Sequence, residues 1–199
     1  MSPDPEQDRA GRSSPGTERG AFVLVVGPSG AGKDTLIAGA RTVLQDIDGV
    51  AFVRRVITRP PDRWEAHDGL SAAEFEDRRG KGGFALSWDA HGLSYGVPAE
   101  SIGLVRSGRI VVCNGSRGAI GEAMRVFGRT CVIYVTAPRE VRLARLAARG
   151  RESDIGGRLD RQPMLDAEQI SDLVIDNSGP PSHGISVLTD YLRSLCRVA

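Results

Sequence analysis

Residues 1–20 are Pro, Gly, Ser and charged side chains without an apolar period, and Ala21-Phe22-Val23-Leu24-Val25-Val26 follows them, apolar at every position. An unbroken apolar run of strand length, rich in β-branched residues, suits a strand covered on both faces in a parallel sheet. The stretch before it lacks a signal-peptide core and reads as a disordered tail. Residues 27–33 break the run, and 34–45 read as a helix. Further apolar runs predict strands at 50–57, 109–113, 130–136 and 173–176. One helix is predicted to end before the Ser107-Gly108 turn, and another to run from Pro138 to Arg149, the proline suiting a first turn. A last helix, 185–197, carries Leu188, Leu192 and Leu195 on one face. Strands alternating with helices predict an α/β domain over 21–199, three layers round a parallel core sheet with right-handed crossovers. Two segments interrupt the rhythm. Residues 58–98, with short elements, glycines and both tryptophans, predict a small inserted lobe; 149–162, dense in charge, predict an Arg-rich lid.

Composition narrows the class. The 199 residues suit one domain of ordinary size, and 40% hydrophobic content suits a packed globule. With 26 basic and 25 acidic residues the net charge is +1, which argues against a general nucleic-acid or membrane-surface binder. No apolar run reaches the length of a membrane span. Cys113, Cys131 and Cys196 are scattered without metal-ligand spacing and read as reduced thiols in a cytoplasmic protein. Lys33 and Lys81 are the only lysines. Against that arginine-rich background, a lysine at a chemically special position stands out.

Lys33 is at such a position. Gly27-Pro28-Ser29-Gly30-Ala31-Gly32-Lys33-Asp34-Thr35 follows a buried strand and opens a helix, the context of a phosphate-binding loop. Glycines let backbone N–H groups turn inward round phosphate oxygens, and the helix N-terminus adds a positive end. Residues 27–35 are therefore the candidate nucleotide-phosphate site, with Lys33 reaching the β- and γ-phosphates. The hydroxyl residue that usually follows the lysine is replaced by Asp34, with Thr35 one step later. Either Asp34 and Thr35 help to hold Mg²⁺, or Asp34 only complements the helix dipole. Mg²⁺ is expected in both cases, to screen the triphosphate. The N-K-x-D motif by which a GTPase reads guanine is absent.

The loop, together with Val56-Ile57-Thr58-Arg59-Pro60, Ser71–Phe75, Tyr95-Gly96 and residues 145–159, resembles the guanylate-kinase group over most of 21–177. Within that group the chain is most similar to the ribose 1,5-bisphosphate phosphokinases of bacterial phosphonate breakdown. The strings that carry this are Gly27–Asp34, Ile57-Thr58-Arg59, Glu65-x-His67, residues 85–97 (A-L-S-W-x-A-x-G-L-x-Y-G-V) and Asn114-Gly115-Ser116-Arg117. Asp34 in the loop is shared by that family. Where guanylate kinases read guanine with polar groups, this chain has Ser87 before Trp88, Val97, and the Asn114-Gly115 region; a site stripped of those partners loses its base specificity.

The resemblance implies a three-layer phosphate-loop kinase that transfers the γ-phosphoryl of ATP to ribose 1,5-bisphosphate, giving 5-phosphoribosyl 1-diphosphate. The partner implied is a small phosphorylated sugar, with no nucleic acid and no membrane. Lys33 would act in transfer together with the lid arginines Arg145, Arg149 and Arg158 closing over the ATP phosphates. Arg59, with Arg55 beside it, would hold the acceptor phosphate. Glu65 and His67 would meet sugar hydroxyls or the second phosphate, or else serve loop structure. Arg117 would hold a substrate phosphate or cap local structure. Trp88 and Tyr95 read as core of the lobe, with the Tyr95 hydroxyl available to substrate. His91 and His183 carry no metal-ligand pattern. Two other readings stay open: a guanylate or other nucleoside monophosphate kinase, and a non-catalytic interaction module of the same fold.

Overall fold

The run 21–26 becomes a strand whose six side chains are all fully buried. In the computed structural model the described residues are 20–61, 67–148 and 168–197. The expectations placed on the tail before Gly20, on Glu65 and on the lid with Arg149 and Arg158 lie outside them. In chain order the elements are β1 (Ala21–Val26), α1 (Lys33–Val43), β2 (Val50–Val53), β3 (Arg55–Ile57), β4 (His67–Gly69), α2 (Ala72–Gly80), β5 (Phe84–Ala90), β6 (Leu93–Pro98), α3 (Glu100–Arg106), β7 (Ile110–Asn114), α4 (Ile120–Phe127), β8 (Thr130–Thr136), α5 (Arg139–Ala147), β9 (Leu173–Asp176) and α6 (Pro181–Arg197).

The core sheet has the order β2-β7-β1-β8-β9, every pair parallel. Alternation along β1 assigns its side chains to two cores. Ala21, Val23 and Val25 pack with Leu36 and Ala40 of α1 and Leu188 and Leu192 of α6. Phe22, Leu24 and Val26 face Ile120, Ala123 and Phe127 of α4, where the Phe22 and Phe127 rings stack at 3.9 Å. The expected three layers and parallel core sheet are therefore present.

A second sheet, β4-β3-β6-β5, lies over part of the same chain. β3 pairs parallel with β4 and antiparallel with β6, and β5 and β6 form an antiparallel hairpin. Here the structure departs from the single strand expected over 50–57. Exposed Arg54 separates β2, in the core sheet, from β3, in the second. Apolar residues stand on both sides of Arg54 and Arg55, so the stretch reads as one interrupted strand, and periodicity alone carries no mark of a change of sheet. The second sheet thus starts at Arg55, ahead of the expected lobe boundary at Thr58. α2 is set by a capping box: Ser71 Oγ accepts from Glu74 N, and the Glu74 carboxylate accepts from Ser71 N. α6 starts at Pro181, four residues before the expected 185, because proline is compatible with a first turn.

Candidate active site

After β1 the chain turns through the glycine-rich loop into α1. Gly32, the N-cap of α1, has φ 96°, and a Cβ there would collide with Asn177 Nδ2, so both backbone and space require glycine. The loop is held from behind. Ala31 is fully buried, and its carbonyl accepts from Asn177 Nδ2 at 2.7 Å and from Arg145 Nη1 at 3.4 Å. Arg145 Nη2 also donates to the Asn177 carbonyl at 2.9 Å. Lys33 Nζ donates back to the Gly27 and Pro28 carbonyls at 2.8 and 3.1 Å, which keeps the ammonium at the loop.

Beside β1, β7 ends in Asn114. Its Nδ2 donates to Asp34 Oδ1 at 2.7 Å and so ties the strand end to the first turn of α1. Asn114 is 8% exposed, and its Oδ1 is buried without a hydrogen-bond partner. Next to it, burial pushes the Cys113 thiol up to about 12, with Asp34 adding to the rise and Arg55 opposing it. Cys113 is a buried thiol and not a nucleophile.

The second sheet contributes the facing groups. Arg55 opens β3, buried, with its guanidinium 5.5 Å from the Tyr95 ring centroid. Tyr95 stands opposite Trp88 across the β5–β6 ladder, and their rings stack at 5.5 Å. Thr58 is pinned to β6 from both sides, its N–H donating to the Ser94 carbonyl at 3.0 Å and its Oγ1 accepting from Ser94 N at 2.8 Å. That pinning fixes the backbone from which Arg59 projects. After β7, Ser116 Oγ accepts from Gly118 N and starts the 3-10 turn at Arg117.

One cavity collects these groups at the C-terminal ends of β1 and β7, the usual binding edge of a parallel sheet. Its lining includes Gly27, Pro28, Ser29, Gly30, Gly32, Lys33 and Asp34 from the loop, and Arg55, Arg59, Tyr95 and Arg117 among the expected acceptor residues. Among the described lining residues Lys33, Arg55, Arg59 and Arg117 are cationic and Asp34 is the acid, a charge balance suited to polyanions.

Four expected residues are not on the lining. Ala31 is fully buried, its carbonyl turned to Asn177 and Arg145. Thr35 is exposed, because one step along a helix turns the side chain about 100° away from the face that Asp34 presents. Arg145 is engaged with the loop carbonyls behind the cavity. His67 pairs in register with Arg55, is buried, and places Nε2 3.3 Å from the Pro60 carbonyl, beside the segment that carries Arg59. The lining also includes Asn114 and His91, to which the sequence reading gave no site role, and Trp88, which it read as core of the lobe. Asn114 had a signal, a polar residue closing an apolar strand. His91 had a weaker one, standing before Gly92 in the β5–β6 turn, where both have positive φ, 55° and 71°.

No family model matches the chain. A ribose 1,5-bisphosphate phosphokinase of Acidiphilium cryptum is 48% identical over 182 residues, covering 89% of this chain and 94% of that protein. One of Methylobacterium radiotolerans is 43% identical over 178 residues, covering 88% of this chain and 98% of that protein. A bifunctional ribose 1,5-bisphosphokinase-thymidine phosphorylase of Cupriavidus pinatubonensis is 45% identical over 180 residues, and the chain spans 30% of its length. Among solved structures, guanylate kinase from Anaplasma phagocytophilum aligns with a TM-score of 0.64 at 16% identity, covering 89% of this chain and 87% of that one, a likeness of fold.

Proposed function

The chain belongs to the ribose 1,5-bisphosphate phosphokinase family, and from that premise we propose that it transfers the γ-phosphoryl group of ATP to the 1-phosphate of ribose 1,5-bisphosphate, releasing ADP and 5-phosphoribosyl 1-diphosphate. The observation that carries this reading is the convergence of two sheets on one cavity. The core sheet presents the phosphate loop with Lys33, and the second sheet presents Arg55 and Arg59 beside Tyr95.

The chemistry asks little of side-chain proton transfer. The nucleophile is a phosphate oxygen whose second pKa is about 6, so it is largely ionised at neutral pH without a general base. What the protein supplies is alignment and compensation of charge. Lys33 would lie against the donor phosphates, and Arg59, Arg55 and Arg117 against those of the acceptor. Arg145 and Asn177 would act at one remove, by holding the Ala31 carbonyl and thereby the loop N–H groups. Arg149 and Arg158 belong to the same proposal as lid groups that exclude water.

Among the described residues no three His, Cys, Asp or Glu side chains gather into a metal cage. One carboxylate, Asp34, beside an unsatisfied amide oxygen suits a divalent cation, for which Mg²⁺ is our assignment, that takes most of its oxygens from substrate phosphates. Held by Asp34, such a cation would screen triphosphate charge during transfer. A cytoplasmic setting, with no nucleic-acid or membrane partner, goes with this reading; among the described residues no helix is long and apolar enough to cross a membrane.

A coupled assay that follows ADP release with ribose 1,5-bisphosphate or GMP as acceptor tests the proposal. Turnover with the sugar bisphosphate and little with GMP is expected; faster turnover with GMP would overturn it.

A further inference from the structure

The residue after the loop lysine and the residue at the end of the neighbouring strand form one unit in phosphate-loop enzymes. A hydroxyl stands at the first position and a carboxylate at the second, and the two hold the cation between them. Here the chemistry is inverted. The carboxylate, Asp34, follows the lysine, and the strand end beside β1 carries an amide, Asn114. Their side chains meet, Asn114 Nδ2 donating to Asp34 Oδ1 at 2.7 Å, and both residues line the cavity.

That bond also fixes the orientation of the amide. A carboxylate only accepts, so the amide nitrogen must face it, and the amide oxygen is turned elsewhere. Asn114, more than nine-tenths buried, lines a cavity suited to phosphates, and its Oδ1 is a buried acceptor without a hydrogen-bond partner. A buried acceptor of this kind calls for a cation, a cation-bound water or another donor. The carboxylate beside it, with one oxygen occupied by the amide, turns the choice toward the cation.

We propose that Asp34 and Asn114 together form the protein's half of the divalent-cation site, with the usual hydroxyl-and-carboxylate pair exchanged between helix and strand. The Asn114 amide N–H orients the Asp34 carboxylate, and its Oδ1 faces the cation or a water on it. The proposal rests on the kinase reading of the site and deepens it by giving Asn114 a defined part in holding the cation.

The test uses the full chain with Mn²⁺ as probe, its binding to the ADP complex measured by electron paramagnetic resonance. Asn114→Ala is expected to weaken Mn²⁺ about tenfold or more, as loss of a ligand-orienting partner does. Its affinity for ADP in EDTA and its acceptor KM should stay near wild type. Asp34→Thr should lose at least as much. The double exchange Asp34→Thr with Asn114→Asp should recover Mn²⁺ affinity to within a few-fold. In the wild type, Mn²⁺ with ADP should broaden the Asn114 side-chain amide resonance, a readout that needs no variant to fold. Unchanged Mn²⁺ affinity in Asn114→Ala, no recovery in the exchange, a rise in acceptor KM alone, or an unbroadened amide would each overturn the proposal. If wild-type chain bound no ADP in either condition, the kinase reading would fall with it. Intact ADP binding with indifferent Mn²⁺ would sink this inference and leave that reading standing.

Discussion

The proposed reading gives Lys33 and Arg59 separable roles, and single substitutions should separate them. Lys33 is held on the Gly27 and Pro28 carbonyls, within reach of whatever phosphate occupies the loop, and contributes no apolar packing to either core. Lys33→Ala should lower kcat by about 10²–10³-fold, the usual cost of removing one group that stabilises transition-state charge. Its melting temperature should stay close to wild type by circular dichroism. Arg59 projects from a backbone pinned through Thr58 to Ser94, on the sheet that carries no phosphate loop. Arg59→Ala should raise the acceptor KM about 10- to 100-fold, the range of one or two charge-assisted hydrogen bonds, with the KM for ATP nearly constant. An equal rise in both constants would move Arg59 out of the acceptor pocket. Their positions were legible in the chain because motif spacing marks them, and both line the cavity. The contact that Arg145 makes was not: Arg145 was expected to close over the ATP phosphates, and it holds the loop beside Asn177. Their partner is the Ala31 carbonyl, and a main-chain acceptor leaves no trace in the side-chain sequence.

At the scale of elements, the phosphate loop is an insertion between strand and helix whose shape depends on contacts from β9 and α5. Asn177, just after β9, donates to Ala31 and closes against Gly32. Asn177→Ala should cost about 1–3 kcal/mol of stability in a denaturant melt, since the Ala31 carbonyl is left with only the longer bond from Arg145. ATP should bind more weakly as well. Gly32→Ala should be the more damaging for nucleotide binding, because it meets a positive φ and a collision together. If calorimetry showed Gly32→Ala binding ATP as wild type does, the loop geometry would be wrong. Strands buried on both faces were the easiest to read: β1 and β8 match their expected limits, and the edge strand β9 does too. Two failures have physical causes. The passage from β2 to β3 changes sheet across one exposed arginine, which no periodicity records. α4 is only eight residues long with Gly121 inside it and Gly128 at its end, so its Ile120, Ala123, Phe127 face is too short to stand out.

At the scale of the whole molecule, the three-layer packing makes the cysteines reporters of global unfolding. Cys113 is fully buried in β7 and Cys131 nearly so in β8, both in the core sheet, whereas Cys196, in the last turn of α6, is partly exposed. Burial raises all three thiols above the ordinary value near 9, Cys113 to about 12. In a native sample, Ellman's reagent should therefore modify Cys196 first, with Cys113 and Cys131 following at the rate of unfolding. The same shift sets a pH dependence whose sign is determined. The unfolded chain releases the Cys113 proton near pH 9, while the folded chain keeps it until about 12. Between those values the unfolded state binds fewer protons, so stability falls as pH rises; below 9 this group contributes no slope. Replacing Cys113 with Ala should lower the melting temperature at pH 7, because a packed side chain is truncated, yet make its decline between pH 9 and 11 shallower than in wild type. The slope is the decisive reading. A packing loss alone would move the two melting curves apart by a constant amount, whereas loss of the buried thiol brings them together as the solution becomes alkaline.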